Sequence, residues 1–318
     1  MTVVLHPQTE AVLQLMMAAY PDLGVGVTDA VAARRALSRT KQPPGPELSR
    51  VQDRVIPGAP GIPVRIYWPA SGSAPHPVIV YFHGGGFVLC GLDSHDAICR
   101  MLAAGVSAIV IAVDYRLAPE HKYPAAVEDA YRAVAWAHAN AAELGGDPER
   151  LVVAGDSAGG NLATVTCLRA RDNDGPPIAF QLLLYPWLDF LSELPSRRDN
   201  AEGYYLTANH LRWFEQQYLN EPSEAALPHV SPLRAPDLAK LPPALVITAE
   251  YDPLRDEGEA YGLRLSEAGV PTRTYRADGL FHSFLAMMDF LPGAQEAAEI
   301  ACAAVRSAVS VAALSSDA

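Results

Sequence analysis

The residues with the clearest chemical potential are Gly155-Asp156-Ser157-Ala158-Gly159, a G-x-S-x-G pentapeptide. It directly follows the apolar run LVVAGD and directly precedes an Ala-rich stretch of helical period. So sharp a turn from strand to helix holds its serine in a strained backbone conformation and lifts the hydroxyl above the sheet. Glycines are needed on both sides because a Cβ there would collide with neighbouring backbone. The pentapeptide predicts a nucleophilic serine, although taken alone it also fits a plain Gly/Ser-rich turn or a phosphate-binding loop. A second pattern narrows the choice: His83-Gly84-Gly85-Gly86-Phe87 follows the strand-like VIVYF. Acyl transfer passes through a tetrahedral oxyanion that needs two or three preorganised N–H donors, and consecutive glycines let backbone amides reach it. Gly84 and Gly85 are the expected donors, with the Ala158 amide, at the positive end of the next helix, as the third. Loss of one such donor typically costs about 3–4 kcal/mol of transition-state stabilisation.

Serine at its ordinary pKa is a poor nucleophile, so a base must accept its proton and a third group must orient that base. Where a nucleophile sits on such a strand-to-helix elbow, acid and histidine follow it in chain order, each just after a late strand. Asp252 follows ALVITAE and His282 follows TRTYRADG, so they are the expected acid and base. The other histidines fail on position: His6, His76, His83, His95, His121 and His138 precede the serine, and His210 and His229 lie in or beside a polar insertion. Asp256 and Asp278 compete with Asp252. Asp256 reads as a first-turn helix residue and Asp278 as a turn residue with Gly279. With His282 as base, kcat/KM should fall as pH drops through the range in which an ordinary imidazole protonates, and a flat profile down to about pH 4 would contradict the assignment.

The elements that must position these groups are legible as texture. Ala108–Tyr115, Leu151–Asp156, Ala179–Tyr185 and Ala244–Glu250 are nearly continuous apolar runs, the pattern of parallel strands buried on both faces. Helical periods fill the gaps at Ala125–Ala142, Ala158–Ala170, Glu257–Ala268 and Ala294–Val311, which predicts a doubly wound α/β core. Val64–Trp68 and Val78–Phe82, separated by a turn-rich stretch, are expected to form a hairpin-like edge. Residues 1–50 form a separate N-terminal element, with helical periods around Val12–Tyr20 and Asp29–Leu37 before the break KQPPGPE. The segment 189–228 interrupts the strand–helix alternation. Insertions on the carboxyl side of an α/β sheet cover the ligand site, so 189–228 together with 1–50 is the expected helical cap over a 51–318 core.

Composition excludes several alternatives. The 318 residues are 50% hydrophobic and 19% charged, as in a globular enzyme. A formal net charge of −12 would repel phosphate backbones, so no nucleic-acid partner is expected. No apolar run is long enough for a transmembrane helix. The opening MTVVLHPQTEAVLQLMMAAYP lacks a basic n-region, which points to a cytoplasmic protein. Cys90, Cys99, Cys167 and Cys302 are far apart, with neither CxxC spacing nor a histidine cluster, so no metal site is expected and the thiols read as buried or idle.

Five patterns in order, HGGGF, DYRLAPE (Asp114–Glu120), GDSAGGN (Gly155–Asn161), YDPLRDEG (Tyr251–Gly258) and FHSF (Phe281–Phe284), resemble those of the hormone-sensitive-lipase-like carboxylesterases of the α/β-hydrolase superfamily. The resemblance spans nearly the whole catalytic core. It implies a mostly parallel central sheet flanked by helices under a helical cap, and an enzyme without a cofactor. It further implies a small-molecule ester of short or medium acyl chain as substrate, and a homodimer paired through the last strand and helix. It makes His83, with Gly86, a support of the glycine loop rather than the base, and it leaves Asp156 and Glu120 as supporting polar residues. Phe87, Leu206, Trp213, Phe214 and Phe281 are the expected apolar substrate contacts, since ester pockets are mostly apolar. Two alternatives remain open at this point: a non-catalytic ligand-binding relative, and an amidase, lactonase or peptidase using the same acyl-transfer machinery.

Overall fold

The structure is a computed structural model that describes residues 5–37 and 45–316. The apolar runs form one eight-stranded sheet from β1 (Arg50–Ile56), β2 (Ile62–Trp68), β3 (His76–Phe82), β4 (Ile109–Val113), β5 (Gly146–Asp156), β6 (Phe180–Leu184), β7 (Ala244–Tyr251) and β8 (Thr272–Phe281). The spatial order is β1-β2-β4-β3-β5-β6-β7-β8. β2 runs antiparallel to both β1 and β4, and every pair from β4 through β3 to β8 is parallel.

Alternation along each strand divides the interior into two cores. Val78, Val80 and Phe82 of β3 join one, Ile79 and Tyr81 the other; Ile109, Ile111 and Val113 of β4 separate from Val110 and Ala112 in the same way. Helices α4 (Ala125–Leu144), α5 (Ala158–Asp172) and α8 (Arg255–Glu267) cover the first face, and α3 (Asp96–Val106) and α9 (Pro292–Ser316) the second. Because both faces are covered, every residue of β4 and β6 is buried, which explains why those runs read as continuously apolar.

Two expectations need correction. The runs at 64–68 and 78–82 do not form a hairpin, because β4 lies between β2 and β3; the hairpin at that edge is β1 with β2, joined by the short turn 57–61. Helix α3 was absent from the expected elements, although its buried residues Ile98, Cys99, Leu102, Ala103 and Val106 follow a helical period. The break KQPPGPE lies largely outside the described residues.

The chain places β4 on one side of β3 and then β5 on the other, so the topological switch point of the sheet lies between β3 and β5. In open α/β sheets ligands bind outside the carboxyl ends of strands at that point. The glycine loop leaves β3 and the serine turn leaves β5 there. Two further segments meet above them. One is the N-terminal stretch carrying α1 (Pro7–Ala19) and α2 (Ala30–Leu37); the other is the β6–β7 connection with α6 (Pro195–Asp199) and α7 (Ala208–Tyr218). The Trp213 indole donates to the Thr28 carbonyl (3.1 Å), and the Tyr20 ring lies 4.8 Å from Tyr205 and 5.4 Å from His210. Arg34 of α2 pairs with Glu120 (2.8 Å) and donates to the Ala118 and Val88 carbonyls, tying the N-terminal segment to the connections that follow β4 and β3.

Candidate active site

Ser157 lies between β5 and α5 with φ 54° and ψ −119°, a left-handed backbone that costs a non-glycine residue roughly 1–3 kcal/mol. Packing holds it there. The Ser157 amide donates to the Leu184 carbonyl (2.9 Å), and its carbonyl accepts from the Trp187 (3.1 Å) and Asn161 (3.2 Å) amides. The close crossing also explains the flanking glycines. A Cβ on Gly159 would lie 1.9 Å from the Phe82 carbonyl oxygen, so α5 packs on the end of β3 only without a side chain at that position.

The Ser157 hydroxyl points at His282, with Oγ to Nε2 at 3.0 Å, and His282 Nδ1 lies 2.7 Å from Asp252 Oδ2. Ionised, the Asp252 carboxylate can only accept, so Nδ1 carries the proton and donates, while the bare Nε2 accepts from the serine hydroxyl. The second Asp252 oxygen accepts the Leu254 amide (2.8 Å), which fixes the carboxylate plane. All three side chains are buried, and the Tyr185 ring packs edge-on to the imidazole at 5.1 Å. The β6–β7 connection braces the acid: Asn200 Nδ2 donates to the Asp252 carbonyl (3.1 Å) and Ser196 Oγ to the Pro253 carbonyl (2.9 Å). Asp256 sits in the first turn of α8, where it accepts the Ser196 amide (2.7 Å) and pairs with Arg255; Asp278 lies within β8.

The glycine loop is held from below by Asp156. Its buried carboxylate accepts the Gly84 amide (2.9 Å) and the Tyr81 hydroxyl (2.7 Å), and His95 Nε2 lies 3.2 Å from it. Burial alone would raise this carboxyl, but His95 and the Tyr81 hydroxyl hold it below the usual carboxylate range. The Gly84 amide thus already has a partner, whereas Gly85 and Gly86 wall the space beside Ser157. Gly85 adopts φ +107°, and a Cβ on it would meet the Leu89 carbonyl at 2.4 Å. His83 stacks on Tyr115 (4.3 Å) and donates from Nδ1 to the Gly84 carbonyl (2.7 Å). Burial pushes its imidazole down to about 3, which keeps it neutral.

A cavity of about 60 Å³ opens directly on Ser157 and His282. Of the expected substrate contacts, Leu206 and Phe214 line it. The other three belong to the interior. Phe87 stacks on Tyr218 at 4.0 Å, Phe281 is wholly buried in β8, and Trp213 turns toward Thr28. Motif adjacency misled for Phe87: its φ of 63° turns the side chain into the core. Tyr20, Cys90, Tyr205 and His210 also line the cavity and were not expected there. Their separation of up to 190 positions in the chain leaves no local pattern; the aromatic enrichment of the insertion and the expected place of residues 1–50 in the cap were the signals for Tyr20, Tyr205 and His210, and Cys90 had none. Burial pushes the Cys90 thiol up to about 12, so it stays protonated at neutral pH. A larger open cleft of about 950 Å³, between residues 189–194 and Arg264, is lined by none of Ser157, Asp252 and His282. Among the described residues no helix is long and apolar enough to cross a membrane.

Comparison with known proteins agrees with this architecture. The family model for the α/β-hydrolase fold matches residues 79–286, which include the glycine loop, the serine turn, Asp252 and His282. The chain is 44% identical over 306 residues to esterase LipI of Mycobacterium tuberculosis, covering 94% of this chain and 95% of that protein. It is also 44% identical over 227 residues to an arylesterase of Saccharolobus solfataricus, covering 70% and 73% of the two chains. The solved structure of a hyperthermophilic esterase from the archaeon Pyrobaculum calidifontis superposes with a TM-score of 0.90 at 42% identity, over 96% of this chain and all of that one. With the same fold, the same ordered motifs and relatives of this closeness, the chain belongs to the α/β-hydrolase family, in its hormone-sensitive-lipase-like branch.

Proposed function

We propose that this protein is a carboxylic ester hydrolase acting on short- to medium-chain uncharged esters through Ser157, His282 and Asp252. The observation that carries this reading is the buried relay from Ser157 Oγ through His282 to Asp252, at 3.0 and 2.7 Å. Ser157 Oγ attacks the ester carbonyl while His282 Nε2 takes its proton, and the same proton then passes to the departing alkoxide. Water, deprotonated by His282, opens the acyl-enzyme and releases the acid. Asp252 keeps Nε2 facing the serine and stabilises the imidazolium formed at each step.

For the oxyanion the assignment shifts by one residue from the sequence expectation. The Gly84 amide is engaged with Asp156, so the donors in this reading are the amides of Gly85, Gly86 and Ala158; the first two wall the cavity, and Ala158 begins α5. Gly84 becomes the anchor of the loop. The N-terminal segment and the β6–β7 connection act as a cap, since Tyr20 from one and Tyr205, Leu206, His210 and Phe214 from the other enclose the cavity. Its small volume favours short acyl groups.

Hydrolysis of p-nitrophenyl esters from acetate to palmitate, by the parent and by Ser157→Ala, tests the proposal. Cleavage concentrated at short and medium chains and abolished by the substitution is expected. A folded parent that cleaves none of them would move the ligand-binding or amidase reading ahead.

A further inference from the structure

Asp156 immediately precedes the nucleophile, yet its carboxylate lies outside the relay from Ser157 through His282 to Asp252. Its two oxygens are used differently. Oδ1 accepts both the Tyr81 hydroxyl (2.7 Å) and the Gly84 amide (2.9 Å). Among the described residues Oδ2 has one hydrogen-bond partner, His95 Nε2 at 3.3 Å, and the same nitrogen lies 3.2 Å from Oδ1. Ionised, the carboxylate only accepts, so Nε2 carries a proton and donates. The Gly84 amide also comes within 3.4 Å of Nε2, but the carboxylate is its nearer acceptor. The other ring nitrogen, Nδ1, lies 2.9 Å from the Ser94 hydroxyl, which itself accepts the Gly91 amide (3.0 Å). His95 is thus held at both nitrogens, at the N-cap of α3, a helix packed on β4 and β2. Asp156 is 3% exposed and His95 9%, and both border the cavity beside Ser157.

The carboxylate orientation decides where Oδ1 sits, and Oδ1 is what holds the Gly84 amide. A Cβ on Gly84 would lie 2.4 Å from Oδ2, so the carboxylate packs directly against the loop backbone. Without His95, Oδ2 would be a buried carboxylate oxygen with no partner, a costly state that the side chain relieves by turning. Any such turn takes Oδ1 away from Gly84. We propose that His95 is a positioning residue for oxyanion stabilisation: it fixes the Asp156 carboxylate, which holds Gly84 and so aims the Gly85 and Gly86 amides at the oxygen of the tetrahedral intermediate. This rests on the proposed esterase reading and goes beyond it by giving the oxyanion loop a support outside the triad. The oxyanion exists only once Ser157 has attacked, so the contribution falls on kcat and not on substrate binding. A misplacement of about 1 Å costs on the order of 100-fold, so His95→Leu should lower kcat roughly 10- to 100-fold with KM changed less than about threefold.

The test pairs the kinetics of p-nitrophenyl butyrate hydrolysis with two inhibitors of one carbon skeleton, trifluoromethyl propyl ketone and the corresponding secondary alcohol. Ser157 Oγ adds to the ketone carbon, its proton passes to His282 Nε2, and the carbonyl π electrons become an oxyanion placed as in the intermediate. The alcohol has no carbonyl and forms no oxyanion. In His95→Leu the Ki of the ketone should rise by roughly the factor lost from kcat, while the Ki of the alcohol stays within about twofold. His95→Gln, which returns an N–H donor, should recover most of both losses. A general loosening of the fold would not separate the two inhibitors, and Ki does not depend on the amount of active enzyme. If His95→Leu does not fold, His95→Asn, whose amide is too short to reach Asp156, takes its place against His95→Gln. A folded variant with kcat and ketone Ki within about twofold of the parent overturns the assignment, as does equal weakening of ketone and alcohol, or a Gln variant no better than Leu or Asn. Failure of the esterase reading looks different: the parent itself would show no Ser157-dependent cleavage and would bind the ketone no more tightly than the alcohol.

Discussion

Acidification should act on the stability of this protein through two buried groups of opposite sign. His83 has a folded-state value of about 3 against an ordinary 6.5. The stability that it contributes as a neutral group is present above pH 6.5 and is lost as pH falls from there toward 3, because the unfolded chain protonates first. Between pH 7 and pH 5 the loss spans about 1.5 pH units, or about 2 kcal/mol at 1.36 kcal/mol per unit. Glu257 runs the other way. Burial pushes its carboxyl up to about 7 from an ordinary 4.5, against the pull of Arg197 (2.8 Å) and of the Leu188 and Asp189 amides. Its contribution is fully present below 4.5 and is lost as pH rises through 7, so moving from pH 7 to pH 5 restores about 2 kcal/mol. The two groups share no partner, so their effects should add. Urea denaturation followed by fluorescence of the four tryptophans at pH 7, 6 and 5 measures the slopes. Relative to the parent, His83→Asn should gain about 2 kcal/mol between pH 7 and pH 5 and Glu257→Gln should lose about as much, whatever each substitution does to stability at pH 7. Three parallel pH profiles would refute the reasoning.

Asp252→Asn should lower kcat about 10⁴-fold with KM changed only a few-fold, because the amide can no longer hold the Nδ1–H tautomer; steady-state kinetics on one short ester checks this. Gly159→Ala should cost more than about 3 kcal/mol in the denaturation midpoint or prevent folding, since its Cβ meets the Phe82 carbonyl at 1.9 Å. The neighbouring aromatics Trp213 and Phe214 should behave differently. Phe214→Ala should enlarge the cavity and raise the octanoate-to-butyrate ratio of kcat/KM, whereas Trp213→Ala should leave that ratio alone and cost about 3–5 kcal/mol of stability.

Much of the catalytic core was legible because its chemistry is local in sequence. The elbow at Ser157 and the glycine loop at 83–87 are each contiguous, and strands buried on both faces announce themselves as apolar runs. Asp252 and His282 were placed by chain order after late strands, which is topological information carried by the strand pattern. The errors share a physical cause, namely dependence on contacts distant in the chain. Gly84 and Gly85 are equivalent in sequence, and only the carboxylate of Asp156, 72 positions later, engages one of them. The false hairpin arose because β4, which separates β2 from β3, comes later in the chain than both. The pocket walls were hardest to read. Phe87 and Phe281 adjoin the glycine loop and His282 in sequence yet point into the cores, while Tyr20 reaches the cavity from the opposite end of the chain.

The claim that Ser157 carries the acyl group is tested most directly by covalent trapping. Treatment with diethyl p-nitrophenyl phosphate followed by peptide mapping should give one phosphoryl adduct, on Ser157, in step with the loss of ester turnover. An adduct on another residue such as Cys90, or ester turnover that survives in Ser157→Ala, would contradict it.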